Sequence, residues 1–462
     1  MKITLVNPYE LGRQPFGLAE PAAFLKKAGF DVSCCDLSIQ KLDSCLTAGT
    51  AVVAIYIAMH TATRIAIEAL PKIRELLPQA SLCVYGLYAP MNADLFRSLG
   101  VTTILGGEFE NGLVSLAQRI QAGKGAPQSE PDTSLEKITF IAPDRSTLPE
   151  LSKYANLVNV DGTTTLVGFA ETTRGCKYFC KHCPVVPVYN GKFFVIPADI
   201  VLDDIKTQIN QGARHISFGD PDFFNGPGHA LKIVRALHQE FPAITYDATI
   251  KIEHIVKYPE EIKALKETGC LFILSAVEAV DDNILGYLDK GHTRADFIEA
   301  LDFLRATDIN LAPTFVAFTP WTTLDIYLDL LRHVVDLQLM ESVAPVQLSI
   351  RLLIPAGSLI LDIDNLDDII GDFDADILGH PWRNPDPRVD QLQQDVQTWV
   401  MQAEADGLSR PEIFSGIWEI TYKAAGLVAP PLDMKQTGKP VPRLSENWYC
   451  CAEPTCEQLV SF

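Results

Sequence analysis

The chain has 462 residues, of which 47% are hydrophobic and 21% are charged, and this length predicts two or three domains. It carries 58 acidic against 38 basic side chains, which gives a formal net charge of −20. No basic face of the kind that follows a phosphate backbone stands out, so we expect no nucleic-acid substrate.

The cellular location of the protein is predicted from its apolar segments and its cysteines. No apolar run approaches the length of a membrane span, and the opening "MKITLVNP" predicts a buried strand rather than a signal peptide. We therefore expect a cytoplasmic protein whose eleven cysteines are reduced, catalytic or metal-bound rather than paired in disulfides. Five of them belong to no motif and are interpreted as packing residues: Cys34, Cys35, Cys45, Cys83 and Cys270.

Residues 1–121 alternate short apolar runs with amphipathic segments. Runs such as "AVVAIYIA" and "SLCVYG" are apolar nearly throughout, as strands buried on both faces are. Segments such as "GLAEPAAFLKKAG" repeat their apolar residues at helical spacing. This pattern predicts a doubly wound, Rossmann-like α/β domain. The first strand is not followed by G-x-G-x-x-G, so a dinucleotide is not indicated.

The remainder of the chain divides into three parts. Residues 122–165 include the Gly/Pro/Ser-rich stretch "AGKGAPQSEPDTS" and are predicted to be a linker. Residues 166–360 hold a second series of about six strands, ending with "PVQLSIRLLIP", and predict a partial (β/α)6 barrel. Residues 361–462 predict a small, mostly helical region that ends in a cysteine-containing tail.

Three cysteines lie close together in "TTRGCKYFCKHCPVVP", after the first strand of the second series. Cys176, Cys180 and Cys183 follow a C-x3-C-x2-C spacing, which allows them to wrap one [4Fe–4S] cube at the carboxyl end of a barrel. Three thiolates leave one iron open to a small molecule that chelates through amino and carboxylate groups. One alternative is a zinc site that lacks its fourth ligand; it is weakly supported, because the next cysteine, Cys270, is distant in the sequence. The other alternative is a set of buried cysteines without a metal.

This loop and its position resemble the radical S-adenosylmethionine (SAM) superfamily. The resemblance implies that the three cysteines hold the cube and that SAM completes the coordination. It also implies SAM contacts from His182 (adenine), Gly219 and Asp220 (ammonium), Ser275 and Glu278 (ribose), and Ile354 and Pro355 (beside the adenine). Taken singly, Glu278 is also explained by a barrel salt bridge, and Asp220 by a helix cap.

The first domain resembles the cobalamin-binding class of the same superfamily. The resemblance lies in "LVNPY", in "GLAEPAAFLKKAGFDVSCCDL" and in the later "LGGEFEN", and it implies a cobalamin held at the carboxyl ends of the strands. The D-x-H-x-x-G motif that supplies a histidine to cobalt is absent, and His60 is a conceivable ligand. The alternative is a degenerate domain that holds no cofactor.

The tail "WYCCAEPTC" resembles that of the CUAEP/CCAEP-tail radical SAM proteins, and Cys451 stands where selenocysteine appears in the other form. The resemblance implies that Cys451 is a catalytic thiolate, with Cys450 or Cys456 as its resolving partner. Capture of a soft element, ligation of an auxiliary centre and a merely flexible tail are the alternatives.

Together these resemblances imply an enzyme that cleaves SAM to a 5′-deoxyadenosyl radical, as a cobalamin-dependent C-methyltransferase acting on a small molecule or peptide. An electron donor such as flavodoxin or ferredoxin is implied as a partner. A second hypothesis keeps the radical but not the methyl transfer: a rearrangement, a cyclisation or a sulfur-, selenium- or arsenic-linked reaction that uses the tail thiols. A third is an iron–sulfur binding protein that senses redox state.

Overall fold

The computed structural model describes residues 1–125, 128–366 and 368–446. Within them, the first sheet has six parallel strands in the order β2-β1-β3-β4-β5-β6. The strands are β1 (Lys2–Asn7), β2 (Asp31–Asp36), β3 (Thr50–Tyr56), β4 (Ser81–Tyr85), β5 (Thr103–Gly107) and β6 (Thr133–Ser134). The helices are α1 (Phe16–Lys27), α2 (Leu42–Cys45), α3 (His60–Leu76), α4 (Ala93–Ser98) and α5 (Glu110–Gln121).

Both faces of this sheet are covered by helices. Val53 and Ile55 of β3 enter one buried cluster together with residues of α3, whereas Val52 and Ala54 enter a second cluster with residues of α1 and α5. Because alternate residues of a strand point to opposite faces, burial on both sides requires an apolar run. The predicted doubly wound domain is confirmed. The strand order reverses between β1 and β3, and in such sheets this crevice at the carboxyl edge is where ligands bind.

A second sheet forms a half-barrel. Strands β8, β11, β12, β13 and β14 are parallel neighbours, and β7 and β15 (Arg443–Leu444) extend the β8 edge in antiparallel fashion. The strands of this part are β7 (Asn156–Val158), β8 (Thr164–Ala170), β9 (Thr173–Gly175), β10 (Phe193–Val195), β11 (His215–Phe218), β12 (Thr245–Thr249), β13 (Cys270–Glu278) and β14 (Asn310–Phe315). The helices are α6 (Val185–Tyr189), α7 (Ala198–Asn210), α8 (Pro227–Glu240), α9 (Ile252–Lys257), α10 (Pro259–Glu267), α11 (Asp282–Tyr287), α12 (Arg294–Ala306) and α13 (Leu324–Asp336).

The sixth barrel position differs from the prediction. The segment "PVQLSIRLLIP" begins with a 3-10 helix, Pro345–Leu348, and contributes a single parallel bridge between Phe318 and Arg351. Proline cannot donate to a ladder, and the side chain of Gln347 accepts a hydrogen bond from the backbone N–H of Phe315 at 3.2 Å. The side chain of Gln347 therefore accepts the hydrogen bond from a β14 backbone N–H that would otherwise pair with a sixth strand.

The C-terminal region contains the two predicted helices, α14 (Pro387–Ala405) and α15 (Arg410–Ala424). They pack together, and the indole of Trp399 donates to the carbonyl of Ile413 at 2.8 Å. Beyond them the chain returns to the half-barrel as β15 (Arg443–Leu444), and Val441 is buried against Leu157, Val167 and Phe272. Strands β6 and β7 both lie in the predicted linker; β6 belongs to the first sheet and β7 to the second. The domain boundaries themselves stay predictions.

The cysteine prediction is wrong at one pair. Cys35 at the end of β2 and Cys45 at the end of α2 form a disulfide, with their Cα atoms 5.5 Å apart. The short helix α2 turns the chain back over the end of β2, a contact that sequence spacing does not reveal. Cys34, Cys83 and Cys270 are free and buried, which agrees with a packing role. Among the described helices, none combines the length and the hydropathy of a membrane span.

Candidate functional site

The loop that carries the three cysteines is fixed at both ends by a small hairpin. Cys176 follows β9, which pairs with β10 in antiparallel register, and Cys183 precedes α6. Gly175 adopts φ +74°, and a Cβ there would lie 2.5 Å from the carbonyl oxygen of Lys192. The position therefore requires glycine, because the hairpin partner approaches too closely for a side chain.

The three thiols are free and close enough to affect one another. Burial raises the pKa of the Cys183 thiol to about 12, and Cys180 and Cys176 contribute to the increase. Burial likewise raises the pKa of Cys176, and Cys180 adds to it. These directions belong to the metal-free thiols, since binding of a metal deprotonates cysteine.

Over the residues that the structure describes, no three His, Cys, Asp or Glu side chains are arranged to hold a single metal ion. The thiols of the loop are therefore not placed as the ligands of one zinc ion would be. In an iron–sulfur cube each thiolate binds a different iron, so that group does not require the three sulfur atoms to converge on one ion.

Asn225 clamps the loop, and sequence reasoning missed it. Its Nδ2 donates to the carbonyl of Gly175 at 3.2 Å, and its Oδ1 accepts from the backbone N–H of Lys177 at 3.3 Å. The thiol of Cys176 lies 3.6 Å from the same oxygen. The sequence signal was slight, because Asn225 stands in "DPDFFNGPG", of which only the first positions match a family pattern.

Asp220, a predicted SAM contact, braces the entry to the loop. Its carboxylate accepts from the hydroxyl groups of Thr172 (2.7 Å) and Thr173 (2.6 Å) and from the backbone N–H of Thr172 (3.0 Å). Burial raises its pKa to about 6, although the hydrogen bonds from the two threonines act in the opposite direction. A carboxylate has about four acceptor sites, so three of them already serve the loop.

His182 and Glu278, both predicted contacts, are brought together. The Nε2 atom of His182 lies 3.0 Å from Oε1 of Glu278, and Nζ of Lys290 donates to the same oxygen at 3.2 Å. Burial would raise the pKa of Glu278, but Lys290 and His182 lower it to about 2. Glu278 also has φ +67°, which is unfavourable for a side chain of its size.

Two further buried side chains, on β13 or C-terminal to it, have polar atoms with no hydrogen-bond partner within the described residues. One is Oγ of Ser275, a predicted SAM contact on β13 that is fully buried. The other is the imidazole of His292, both of whose nitrogens are unpartnered. Burial, and then Lys290, lower its pKa to about 4, so it is neutral near pH 7. Buried polar groups are normally hydrogen-bonded, so each of these unpartnered groups is available to a polar ligand.

The other residues predicted to contact SAM lie in closely packed segments of the chain. Gly219 follows β11, and a Cβ there would lie 2.0 Å from the ring of Phe169. Ile354 is fully buried, and its carbonyl accepts from the backbone N–H of His380 at 2.8 Å. The carbonyl of Pro355 accepts from the backbone N–H of Ser358 at 3.1 Å.

Arg174 of β9 joins the cysteine loop to the first domain. Its guanidinium forms ion pairs with Glu20 and Glu110, and it lies 3.5 Å from Glu108. All three carboxylates are buried. Burial raises the pKa of Glu108 to about 7, which the phenol of Tyr189 opposes. The junction thus holds more buried carboxylates than arginines.

A cavity of about 130 Å³ separates the carboxyl edge of the first sheet from the barrel loop. The first domain contributes side chains such as Tyr56 and Phe109, and the second contributes Glu171, Arg174 and Gly219. The rings of Tyr56 and Phe109 contact each other and the ring of Tyr85. His60 is buried at the start of α3. The crevice of the doubly wound sheet therefore faces the cysteine loop.

The described chain ends beside this junction. The phenol of Tyr9, in the loop after β1, donates to Oε1 of Glu446 at 2.7 Å. Glu446 also lines a cavity of about 90 Å³ inside the half-barrel, with Arg13 and Asp247. The predicted catalytic cysteines, Cys450, Cys451 and Cys456, lie outside the described residues.

Comparison with known proteins agrees with this architecture. Residues 170–322 match the sequence model of the Radical SAM superfamily. The half-barrel thus carries a radical SAM domain. A structure of the cobalamin-dependent SAM radical enzyme OxsB with aqua-cobalamin bound is similar at TM-score 0.66 and 14% identity, covering 87% of this chain and 67% of that one. A structure of the radical SAM methyltransferase TsrM from Kitasatospora setae with cobalamin and a [4Fe–4S] cluster is similar at TM-score 0.58 and 15% identity, covering 94% and 91%.

Three curated relatives are similar in sequence. Bacteriochlorophyllide d C-12(1)-methyltransferase of Chlorobaculum tepidum is 25% identical over 222 residues, 47% of this chain and 46% of that protein. Hopanoid C-3 methylase of Methylococcus capsulatus is 24% identical over 349 residues, 70% and 65%. A tRNA-2-methylthio-N(6)-dimethylallyladenosine synthase of Haemophilus influenzae is 25% identical over 261 residues, 53% and 51%. The chain thus spans less than two thirds of each relative.

Proposed function

We propose that this protein is a SAM-cleaving radical enzyme whose [4Fe–4S] cluster is held by Cys176, Cys180 and Cys183. The observation that carries the proposal is the set of three free, neighbouring thiols in a loop braced by Asp220 and clamped by Asn225. When bound, the cluster and SAM supply a 5′-deoxyadenosyl radical, and cobalamin supplies a transferable methyl group.

In this proposal the residues around Glu278 hold SAM. The unpartnered Oγ of Ser275 and the imidazole of His292 are available to a polar ligand. His182 is oriented by Glu278, which stays ionised because Lys290 and His182 lower its pKa to about 2. Gly219 keeps the backbone after β11 close to the site, and Ile354 and Pro355 are assigned to the adenine side.

Cobalamin is proposed at the carboxyl edge of the first sheet. The cavity there is lined by Tyr56 and Phe109 on one side and by Arg174 on the other, and flat aromatic side chains suit the face of a macrocycle. Gly107, at the end of β5, has φ +69°, and a Cβ there would lie 2.2 Å from the carbonyl oxygen of Ser134. The cofactors named for OxsB and TsrM, and the methyltransferase names of two relatives, support a C-methyltransferase.

The substrate is proposed to be a small molecule or a peptide rather than a nucleic acid, on the basis of the net charge of −20. The acidic residues at the junction agree with this choice, because phosphate groups would be repelled there. A cytoplasmic location and an external electron donor complete the proposal.

The second candidate function is a non-methylating radical reaction that uses the tail thiols. The position of Glu446 favours it, because this residue is held by Tyr9 at the domain junction. Cys451 follows five residues later in the sequence and lies outside the described residues. Cys451, with Cys450 or Cys456 as its partner, is then proposed to act within the same site.

The experiment is anaerobic assay of the full chain with SAM, dithionite and supplied cobalamin. Formation of 5′-deoxyadenosine supports the radical enzyme, and its absence would favour an iron–sulfur sensing protein. Methylated product together with S-adenosylhomocysteine supports the methyltransferase, whereas 5′-deoxyadenosine alone supports the second candidate. Cys176→Ala should abolish cleavage, and Cys34→Ala, at a free cysteine of the first domain, serves as the matched control.

A further inference from the structure

The cavity inside the half-barrel differs in charge from the chain as a whole. Its charged lining consists of three arginines and two carboxylates: Arg13, Arg410, Arg443, Asp247 and Glu446. The protein has a formal net charge of −20. A concave site with low-dielectric walls focuses the field of its own charges. An excess of arginine at this one site of an acidic protein therefore favours an anionic ligand.

Arg13 reaches the cavity from the first domain, in the loop that follows β1. The backbone N–H of Ala155 donates to the carbonyl of Gly12 at 2.8 Å, and the phenol of Tyr9 donates to Glu446 at 2.7 Å. Gly12 has φ +67°, and a Cβ there would lie 2.7 Å from the Cβ of Glu446. The loop is therefore packed closely against the segment that follows β15, and this contact fixes where Arg13 begins.

The guanidinium of Arg13 has no paired anion within the described residues. Its Nε is buried without a hydrogen-bond partner, and no ion pair of the described residues includes Arg13. The guanidinium lies over the ring of Phe169, 4.7 Å from the centroid, where a cation is favourably placed. Buried arginines are normally paired, so Arg13 is available to an anion that enters the cavity.

Asp247 attracts Arg13 but is held by other groups. Burial lowers the pKa of the Arg13 guanidinium, and Asp247 opposes this decrease most strongly. One carboxylate oxygen of Asp247 lies 2.9 Å from Nε2 of His215, and the other accepts from the hydroxyl of Ser217 at 3.1 Å. His215 is fully buried and stacks on Phe272. The carboxylate of Asp247 is thus fixed in the barrel wall.

Two further carboxyl groups that act on Arg13 are protonated near pH 7. Burial raises the pKa of Glu10 to about 8, although Arg13 opposes the increase. Burial also raises the pKa of Glu171 well above its ordinary value, and Glu10 adds to it. Glu10 and Glu171 therefore do not neutralise the guanidinium.

The remaining wall of the cavity is apolar and lies close to a predicted SAM contact. Phe272 and Leu274, alternate residues of β13, line it, as expected for side chains on one face of a strand. The ring of Phe169, which lies against Arg13, also packs on Gly219, where a Cβ would be 2.0 Å away. The cavity thus joins a cationic end to an apolar surface, one aromatic ring from the proposed SAM site.

We propose that the half-barrel cavity binds the substrate through a carboxylate that pairs with Arg13, with the carbon skeleton against Phe272 and Leu274. The proposal rests on the proposed function and deepens it, because it gives the substrate a chemical class, a small carboxylic acid. A guanidinium binds a carboxylate through two parallel hydrogen bonds, and these charge-assisted bonds are stronger than those to a neutral amide. Arg13 therefore selects the carboxylate and fixes which end of the substrate faces the proposed SAM site.

The test measures binding of short carboxylates to the anaerobically purified full chain by saturation-transfer nuclear magnetic resonance. The probes are acetate, butyrate and hexanoate, each compared with its neutral amide. Arg13→Met removes the charge and keeps an apolar side chain, whereas Arg13→Lys keeps the charge without the planar fork. Arg97→Met, at an exposed arginine that pairs with Asp132, is the matched control. Circular dichroism reports whether each variant is folded.

We expect the native protein to bind butyrate and hexanoate about tenfold or more tightly than butyramide and hexanamide. Acetate should bind more weakly, because it has little apolar surface to bury. Arg13→Met should lose the preference for carboxylate, Arg13→Lys should keep part of it, and Arg97→Met should bind as the native protein does. These probes require neither cluster nor SAM, so failure of the proposed radical function, seen as missing 5′-deoxyadenosine, is distinguished from failure of this proposal.

Absence of carboxylate binding, or equal binding of carboxylate and amide by the native protein, overturns the proposal, and this comparison needs no variant. Equal binding of butyrate by the native protein and folded Arg13→Met also overturns it, because the carboxylate would then be held elsewhere. An equal loss in Arg97→Met would assign the effect to the net charge and would likewise overturn it.

Discussion

His182 and Glu278 are hydrogen-bonded across 96 residues, with Nε2 and Oε1 3.0 Å apart. The contact ties the cysteine loop to the carboxyl end of β13, and Lys290 holds the same carboxylate from the next loop. Three segments of the half-barrel thus meet at one buried oxygen, directly beside the proposed cluster. The stability of the site and its proposed binding of SAM therefore both depend on the carboxylate of Glu278.

Glu278→Gln should therefore destabilise the protein. Lys290 would keep its buried charge without a counter-ion, and loss of one partner of a buried ion pair costs about 3–5 kcal/mol. Urea-induced unfolding measures this change. Glu260→Gln, in the exposed pair with Lys263, should change the free energy of unfolding by less than about 1 kcal/mol. Equal effects of the two substitutions would contradict the prediction that the buried pair of Glu278 with Lys290 contributes more to stability than an exposed pair.

Arg174→Ala should loosen the junction between the domains. The substitution leaves the buried carboxylates of Glu20 and Glu110 without their guanidinium, for which we expect a loss of about 3–5 kcal/mol. Arg97, which pairs with Asp132 at the surface, is the matched control. Limited proteolysis within residues 122–165 should accelerate in Arg174→Ala and not in Arg97→Ala. An unchanged cleavage rate would mean that other contacts hold the domains together.

Glu10 predicts a pH dependence. Burial raises its pKa to about 8, an effect that Arg13 opposes and Asp36 reinforces. The folded state then holds a proton that the unfolded state releases near pH 4.3. Its contribution to stability is therefore fully present below about pH 4.3 and is lost as the pH rises toward 8. Glu10→Gln should flatten the decline of the melting temperature between pH 6 and 9, and parallel curves for the two proteins would contradict this assignment.

Asp220→Ala tests whether this residue positions the loop. The substitution removes the acceptor for the hydroxyl groups of Thr172 and Thr173, so the entry to the cysteine loop loses its brace. We expect iron content after reconstitution to fall severalfold while the far-ultraviolet circular dichroism is retained. Asp386→Ala, at the N-cap of α14, should keep its iron. Full iron content in Asp220→Ala would restrict Asp220 to a contact with SAM.

Much of the fold was predictable because its signals are local. Continuous apolar runs alternating with helical periodicity define the first domain, and "GCKYFCKHC" defines the loop by spacing alone. The sixth barrel strand was not predictable, because its outcome depends on Gln347 bonding to Phe315. The disulfide of Cys35 with Cys45 likewise depends on how α2 folds back over β2.

The residues of the candidate site likewise fall into those that a sequence motif predicts and those that only the structure reveals. The cluster cysteines follow from a motif, whereas Asn225 and His292 become visible only when distant segments meet. Arg174 was hidden for a similar reason, since its partners belong to the other domain. Long-range polar contacts leave no period in a sequence, so residues that brace a site are found from the structure.

The measurement that tests the central claim most directly is electron paramagnetic resonance of the anaerobically purified, dithionite-reduced protein, with and without SAM. We expect a [4Fe–4S] signal that changes when SAM is added, and no signal when Cys176, Cys180 and Cys183 are replaced by alanine. A cluster signal that SAM leaves unchanged would contradict an open iron in this loop. A signal that survives the triple substitution would contradict the assignment of its ligands.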